Sequence, residues 1–573
     1  MVPTRLMRKL MTALMLATTV VLVACAPPPP AVSPRSPAAP GASVGPPKKA
    51  VVGVTADVSQ LNKQLSGNQR GMEGIELMVN AGLGTWDDPS GGIQARLAEA
   101  VPSIENGLWK TSPDGTMETT WVIKNGAQWH DGTPFTSADL VFTATVDQDR
   151  EIAMFHTAIY DAVDRVTAVD PRTVTVRWKQ IYLDADQLFS TPATIPLPKH
   201  LLEAAYNGDK TGFIALPYWS SQFVGLGPYK LVDFERGSHM TLKANDQYIL
   251  GRPKIDEITV RFVPDFNTFT ANLMAGGIDV TLGTTVSLDQ AQAVKAQRDV
   301  VVDFTLNGYW GVLYPQLISP SPAAVADLRF RQALLYGIDR QGLIDSFIPG
   351  LSKVAHSVLT PTNADYAKLE DQAVKYAYDP RQASQMLGTL GFTKSPDGSL
   401  RDAANAKLEV QIRTSNQDLA QKTTFAVANG WNNLGIAATP LVPAAAQSQD
   451  REFRFTYPAF TLSEGGSAAE ITQIRQLVSA EVPSADNGFR GNNTARYANK
   501  DYDALIDRFN GSLAKPDRLA ALGTIARYIS ENLPVMGLYY SGTVTVFDGK
   551  VRNVNGGARG NSTWNIHAWE KSA

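Results

Sequence analysis

The chain has 573 residues, a formal charge of −3, 44% apolar and 19% charged residues, and a single cysteine. That length exceeds what one hydrophobic core serves and implies two or three lobes. The mild acidity, without a basic stripe, excludes a nucleic-acid-binding protein, and one cysteine excludes a disulfide framework.

Arg5, Arg8 and Lys9 form a basic start, and Leu10 to Ala24 is apolar or small throughout, too short to cross a bilayer as a stable helix. Leu22-Val23-Ala24-Cys25 has the pattern of a lipobox: small residues before a cut, then a thiol to take a diacylglycerol. The expectation is a signal peptide over 1–24 and lipidation at Cys25, which gives the lone thiol a purpose. Residues 26–47 are almost entirely Pro, Ala, Ser and Gly, starting with Pro27-Pro28-Pro29-Pro30. Such a stretch has too little apolar surface to fold, and at about 3.1 Å per residue it makes an extended tether. No later run is apolar enough to span a membrane.

Beyond the tether, helix and strand signals alternate, which predicts an α/β protein. Ser112-Pro113-Asp114-Gly115 reads as a turn before a strand, and the same tetrapeptide recurs at 395–398. Thr136 and Asp139 form a capping box that opens a helix at Ser137. Thr173–Trp178, Ile258–Phe262 and Leu408–Ile412 alternate apolar and polar residues as half-buried strands do. Asp379-Pro380 places an N-cap before a proline at the first helical position, with Gly391 closing that helix. Leu519, Leu522, Ala526, Ile529 and Leu533 recur at helical spacing as a core stripe that ends at Pro534.

Four blocks in order carry a family resemblance. The first is Trp129-His130-Asp131-Gly132-Thr133-Pro134-Phe135 with Ala138-Asp139-Leu140-Val141. The second is Gly225-Leu226-Gly227-Pro228-Tyr229-Lys230-Leu231, running on through Asn245-Asp246-Gln247-Tyr248 to Ala275-Gly276-Gly277-Ile278-Asp279-Val280. The third is Arg329-Phe330-Arg331-Gln332-Ala333-Leu334 to Gly337-Ile338-Asp339-Arg340. The fourth is Arg496-Tyr497-Ala498-Asn499, Tyr502-Asp503-Ala504-Leu505 and Leu533-Pro534-Val535-Met536. Over this span the chain resembles the family 5 extracellular solute-binding proteins, the oligopeptide, dipeptide and nickel-chelate receptors of ABC importers. Most of these motif residues are expected to be structural: Trp129 and Phe135 as core, and Arg331 as a buried or bridging arginine.

The resemblance implies a bilobal periplasmic-binding fold of type II, in its large three-subdomain variant. Lobe I would comprise 48–85, 215–305 and 538–573, an inserted subdomain 86–214, and lobe II 306–537. Crossovers near Asp303–Tyr314 and Val535–Ser541 would form the hinge, with ligand held between the lobes. Implied partners are a small peptide or peptide-sized organic solute, ABC permease subunits, and the membrane through the lipid. The expected form is a monomer on the outer face of a membrane, with no cofactor and no bound nucleotide.

Peptide receptors of this family grip the peptide amino terminus with an aspartate in a Trp-x-x-Asp-like stretch. Here Phe460 falls at the tryptophan position, Ser463 at the aspartate position, and Glu464 beside it. The anchor is therefore either displaced by one residue to Glu464 or absent. Aromatic residues near the crossovers and in lobe II, namely Tyr309, Trp310, Tyr314, Tyr457 and Phe460, are candidate ligand walls, with core packing as the alternative for each. Trp86, followed by Asp87 and Asp88, is a further candidate at the edge of the insertion. None of the six histidines pairs with another at metal-ligand spacing, although a ligand that is itself a metal chelate brings its own donors. The chain holds no Gly-x-Ser-x-Gly elbow, no His-Glu-x-x-His and no phosphate loop, which sets an enzyme behind a binding protein.

Overall fold

The computed structural model describes residues 46–573 apart from 67, 68, 70, 87–91, 192, 193, 284, 364, 416, 466–469, 558–560 and 573. The expected signal peptide, Cys25, most of the expected tether, and Asp87 and Asp88 lie outside the described residues. In chain order the principal strands are β1 (Lys49–Val54), β2 (Trp109–Thr111), β3 (Met117–Val122), β4 (Val163–Ala168), β5 (Thr173–Trp178), β6 (Tyr229–Glu235) and β7 (His239–Ala244). They continue with β8 (Glu257–Phe262), β9 (Val280–Thr281), β10 (Val300–Pro315), β11 (Glu409–Thr414), β12 (Ala437–Leu441), β13 (Phe460–Gly465) and β14 (Met536–Asp548).

Among the described residues, ten of these strands form one mixed sheet in the order β12-β11-β13-β10-β14-β9-β1-β8-β7-β6. Its flanks are built differently from its middle. At one side β1 runs parallel to both β8 and β9, and Ala50, Val52 and Val54, which share one face of the strand, are buried in the core of that side. At the other side β11 runs parallel to β12 and β13. Between them lie β10, 16 residues long, and β14, 13 residues long, paired antiparallel from Val300 opposite Asp548 to Leu313 opposite Met536. At about 3.3 Å per residue β10 reaches about 50 Å, enough to belong to both sides at once. Its register slips between Leu306 and Tyr309 and again at Gly311–Val312, where extra residues bend and twist the ribbon.

Separate cores lie on the two sides. Val52, Val260, Met240 and Trp569 belong to one, and Val410, Ile412, Trp431 and Phe460 to another. A four-stranded antiparallel sheet in the order β2-β3-β5-β4 has its own core around Trp121, Trp129, Val176 and Trp178. This is the α/β bilobal architecture expected from the sequence.

Local signals hold where side chain and backbone agree. The helix opened by Thr136 runs Ser137–Gln148, with the Thr136 amide donating to Asp139 Oδ2 at 2.9 Å. Asp379 Oδ1 accepts from the amides of Arg381 and Gln382 at 3.0 and 2.9 Å and starts the helix Pro380–Thr389. The C-terminal stripe lies on the helix Lys515–Asn532, where Leu522, Ile525, Ala526 and Ile529 are buried. Gly115 and Gly398 close the two Ser-Pro-Asp-Gly turns at φ of 81° and 83°, a conformation that favours glycine. Trp129 is 1% exposed and meets Phe135 edge to face at 5.6 Å. Arg331 gives its donors to the carbonyls of Val325, Ala326, Asn532 and Leu533 at 2.8–3.0 Å, tying two helix ends together. Among the described residues, no helix is long and apolar enough to cross a membrane.

Candidate functional site

The candidate site is the stretch where β13, β10 and β14 lie side by side. Glu464 on β13 stands opposite Gly311 on β10, which stands opposite Tyr539 on β14. A glycine is required in the middle: a Cβ on Gly311 would sit 2.6 Å from the Tyr539 ring, which lies flat over that position. The Tyr539 hydroxyl crosses the gap and bonds Glu464 Oε1, and it also shares a 2.7 Å hydrogen bond with Thr423 Oγ1 on the helix Asp418–Leu434. Ser541 Oγ, two residues on and on the same strand face, donates to Glu464 Oε2 at 3.4 Å. Burial disfavours the charged carboxylate and pushes Glu464 up to about 7, against the two hydroxyl bonds that favour the anion. Near neutral pH this group is divided between acid and carboxylate, so it can donate or accept toward a neighbour.

The other candidates divide by burial. Trp310 is 3% exposed, with its ring on Gly537, where a Cβ would meet it at 2.8 Å. Tyr457 is 1% exposed and donates to the carbonyls of Thr494 and Pro315 at 2.7 and 3.3 Å. Phe460 is completely buried, its ring 5.2 Å from that of Trp431. For these three the core-packing alternative describes the side chain in this structure. Tyr309, Tyr314, Ser463 and Trp86 are half-buried. Tyr309 stands opposite Ser541, Tyr314 opposite Thr461, and Ser463 opposite Val312, so Tyr309 shares the sheet face of Gly311 and Glu464 while Tyr314 and Ser463 lie on the opposite face. Trp86 follows the short strand Gly84–Thr85, which pairs with Gln94–Ala95 in a separate two-stranded sheet.

Sequence reasoning missed Tyr539, Ser541 and Thr423, the partners of Glu464. All three are common residues in ordinary strand or helix patterns, and only strand pairing brings them to the carboxyl. It also missed a cavity lined by Trp310, Arg340, His356, Tyr376 and Ile529. There Arg340 bonds the carbonyls of Ala355 and Gly537 at 3.2 and 3.0 Å and that of Tyr376. Burial, helped by the nearby Arg340 charge, depresses His356 to about 4 and keeps it neutral.

Comparison with known proteins follows the architecture. The profile of the bacterial extracellular solute-binding proteins, family 5 Middle, matches residues 94–486, more than half of the chain. The oligopeptide-binding protein AppA of Bacillus subtilis is 25% identical over 389 residues; the match covers 65% of this chain and 65% of that protein, so the chain spans just under two thirds of that relative's length. The structure of the same AppA in complex with a nonapeptide superposes with a TM-score of 0.69 at 20% identity, covering 92% of this chain and 100% of that one. NikA from Brucella suis in complex with Fe(III)-EDTA superposes with a TM-score of 0.75 at 21% identity, covering 91% and 100%. These structures share the fold, and the family assignment rests on the profile: this chain belongs to the family 5 bacterial extracellular solute-binding proteins.

Proposed function

We propose that this protein is the substrate-binding lipoprotein of an ABC importer, which captures a peptide or peptide-sized organic solute between two lobes and delivers it to permease subunits. The observation that carries the reading is the β10–β14 ribbon: two antiparallel strands run on from one packed half into the other. A ribbon of this kind permits hinge bending while each core stays intact, and a ligand touching both halves favours the closed state. AppA, an oligopeptide-binding protein solved with a nonapeptide, supports the peptide class.

The reading includes the partition expected from the sequence: lobe I as 48–85, 215–305 and 538–573, the insertion as 86–214, and lobe II as 306–537. It also includes anchoring of a monomer through lipid on Cys25 at the extracytoplasmic face of a membrane, and binding without catalysis. The ligand-facing residues proposed are Trp86, Tyr309, Tyr314, Ser463 and Glu464. A second reading keeps the fold but gives it a non-peptide ligand such as a metal chelate, in a receptor that need not feed transport; NikA with Fe(III)-EDTA favours it.

Mass spectrometry of small molecules released from the purified protein separates these readings. Co-purified peptides, with calorimetric binding of a peptide pool, support the first. A metal chelate in their place, with no heat on adding peptides, replaces it with the second. Turnover of added peptides refutes a purely binding role.

A further inference from the structure

The loop Tyr182–Asp186 leaves the insertion and enters the packing of lobe II. Leu183 is 8% exposed and sits in a cluster with Trp310, Ile474, Tyr502, Phe509 and Ile525. Beside it, Asp184 pairs with Arg475 of the helix Glu470–Gln476, and Arg475 Nε also donates to Asn510 Oδ1 at 2.9 Å. The loop is rooted in its own subdomain: the Tyr182 ring stacks on Trp178 of β5, 5.5 Å between centroids and 7° from parallel. The helix is rooted in the hinge, because Gln473 Nε2 donates to the carbonyl of Gly308, within the bulge of β10, at 3.0 Å. Leu513 packs against both the insertion's core and this cluster, and Arg518 lies near Asp186, so the two bodies meet along an apolar seam in which Asp184–Arg475 is a direct ion pair.

A second ion pair crosses between the halves, Lys422 with Asp289 at 2.6 Å, but its side chains are 36% and 74% exposed. Solvent screens such a pair, and its worth is small. Asp184 and Arg475 are 16% and 26% exposed, so their attraction is screened less.

Resting on the hinged reading above, we propose that the Asp184–Arg475 pair, with Leu183 beside it, is the latch that holds the insertion against lobe II and sets how far closure is favoured. Opening separates the charges and returns Leu183 to water, so both contributions act only in the closed form. Each charge is rehydrated on opening, which offsets part of the attraction. The remainder corresponds to about tenfold in the closed-to-open ratio, or about 1.4 kcal/mol. Affinity for any ligand bound only by the closed form scales with the closed fraction.

The test uses the full chain with Cys25→Ser, spin-labelled through Val169→Cys on the insertion and Lys500→Cys on lobe II, both exposed positions. Electron–electron resonance then reads the distance between the two bodies without ligand. Asp184→Asn and Arg475→Gln are each expected to broaden the distribution toward longer distances, and the exchanged pair Asp184→Arg with Arg475→Asp to restore the parent profile. Unfolding midpoints confirm that each variant is folded, and the isosteric Asp184→Asn serves as the mildest lesion. Unchanged distances in folded single variants, or failure of the exchange to restore them, overturn the latch. Calorimetry with a random nonapeptide pool runs beside it: an absence of heat with the parent chain counts against the peptide reading and leaves the distance result to decide the latch.

Discussion

Tyr539 reaches across Gly311 to hydrogen-bond Glu464, so three adjacent strands meet at one carboxyl. One of those strands, β13, packs into the core around Trp431, and the other two are the β10–β14 ribbon that runs on between the two packed halves. The protonation of Glu464 is thereby tied to the strands proposed above as the hinge, and its neighbours test that link separately.

Glu464→Gln keeps the shape and removes the charge. For a peptide with a free amine, its binding at pH 8 is expected to fall by tenfold or more, on the order of a charge-assisted hydrogen bond of about 1.5–3 kcal/mol. At pH 6 the loss shrinks, because the parent carboxyl is held up at about 7 and is then mostly protonated. Titration calorimetry at the two pH values measures this. Equal affinities of parent and variant at pH 8 remove Glu464 from the ligand.

Gly311→Ala is expected to destabilise the fold by about 1–3 kcal/mol, since the added methyl meets the Tyr539 ring at 2.6 Å and the ring is fixed by its hydroxyl bonds. The double variant with Tyr539→Ala should recover part of the loss. Denaturant midpoints of the three proteins provide the measurement, and additive losses would show that the ring is not the obstacle.

Phe460→Leu separates packing from ligand contact. The ring is buried against Trp431, so the variant should lose about 1–2 kcal/mol of stability and keep its ligand affinity. A large loss of affinity in a protein of near-parent stability would return Phe460 to the ligand wall.

Asp147 tests the reverse of the usual acid sensitivity. It is 1% exposed, accepts from Gln64 Nε2 at 3.1 Å and Thr157 Oγ1 at 3.2 Å, and is raised by burial to about 8. The native state keeps a proton that the unfolded chain releases near pH 4. This group's contribution therefore falls as pH rises from about 4 to about 8. Asp147→Asn preserves the acceptor and removes the titration, so its stability relative to the parent should climb across that range. A pH-independent difference in unfolding midpoint would contradict the assignment.

Cys25→Ser addresses the anchor. The variant should leave the membrane fraction and retain ligand binding; continued sedimentation with membranes after a salt wash would refute lipidation as the tether.

Family, α/β class and many local elements were legible in the sequence because their causes are local. Thr136 with Asp139 and Asp379 with Pro380 start helices through hydrogen bonds and φ restrictions spanning only a few residues. The stripe from Leu519 to Ile529 declares a buried face through spacing alone. The four motif blocks named the architecture in the same way, by order along the chain. Tertiary structure decided which aromatic side chains are interior and which group controls Glu464. Tyr457, Phe460 and Trp310 look like Tyr309 and Tyr314 in sequence, and they differ in what covers them: Phe460 lies against Trp431, Trp310 against Gly537, and the Tyr457 hydroxyl is bonded to two carbonyls. Tyr539 and Ser541 lie some 75 residues beyond Glu464, and Arg475 is 291 residues from Asp184. Nothing in the local pattern encodes those meetings, because strand register and packing of distant segments bring them about, and the field at a carboxyl depends on what surrounds it in space.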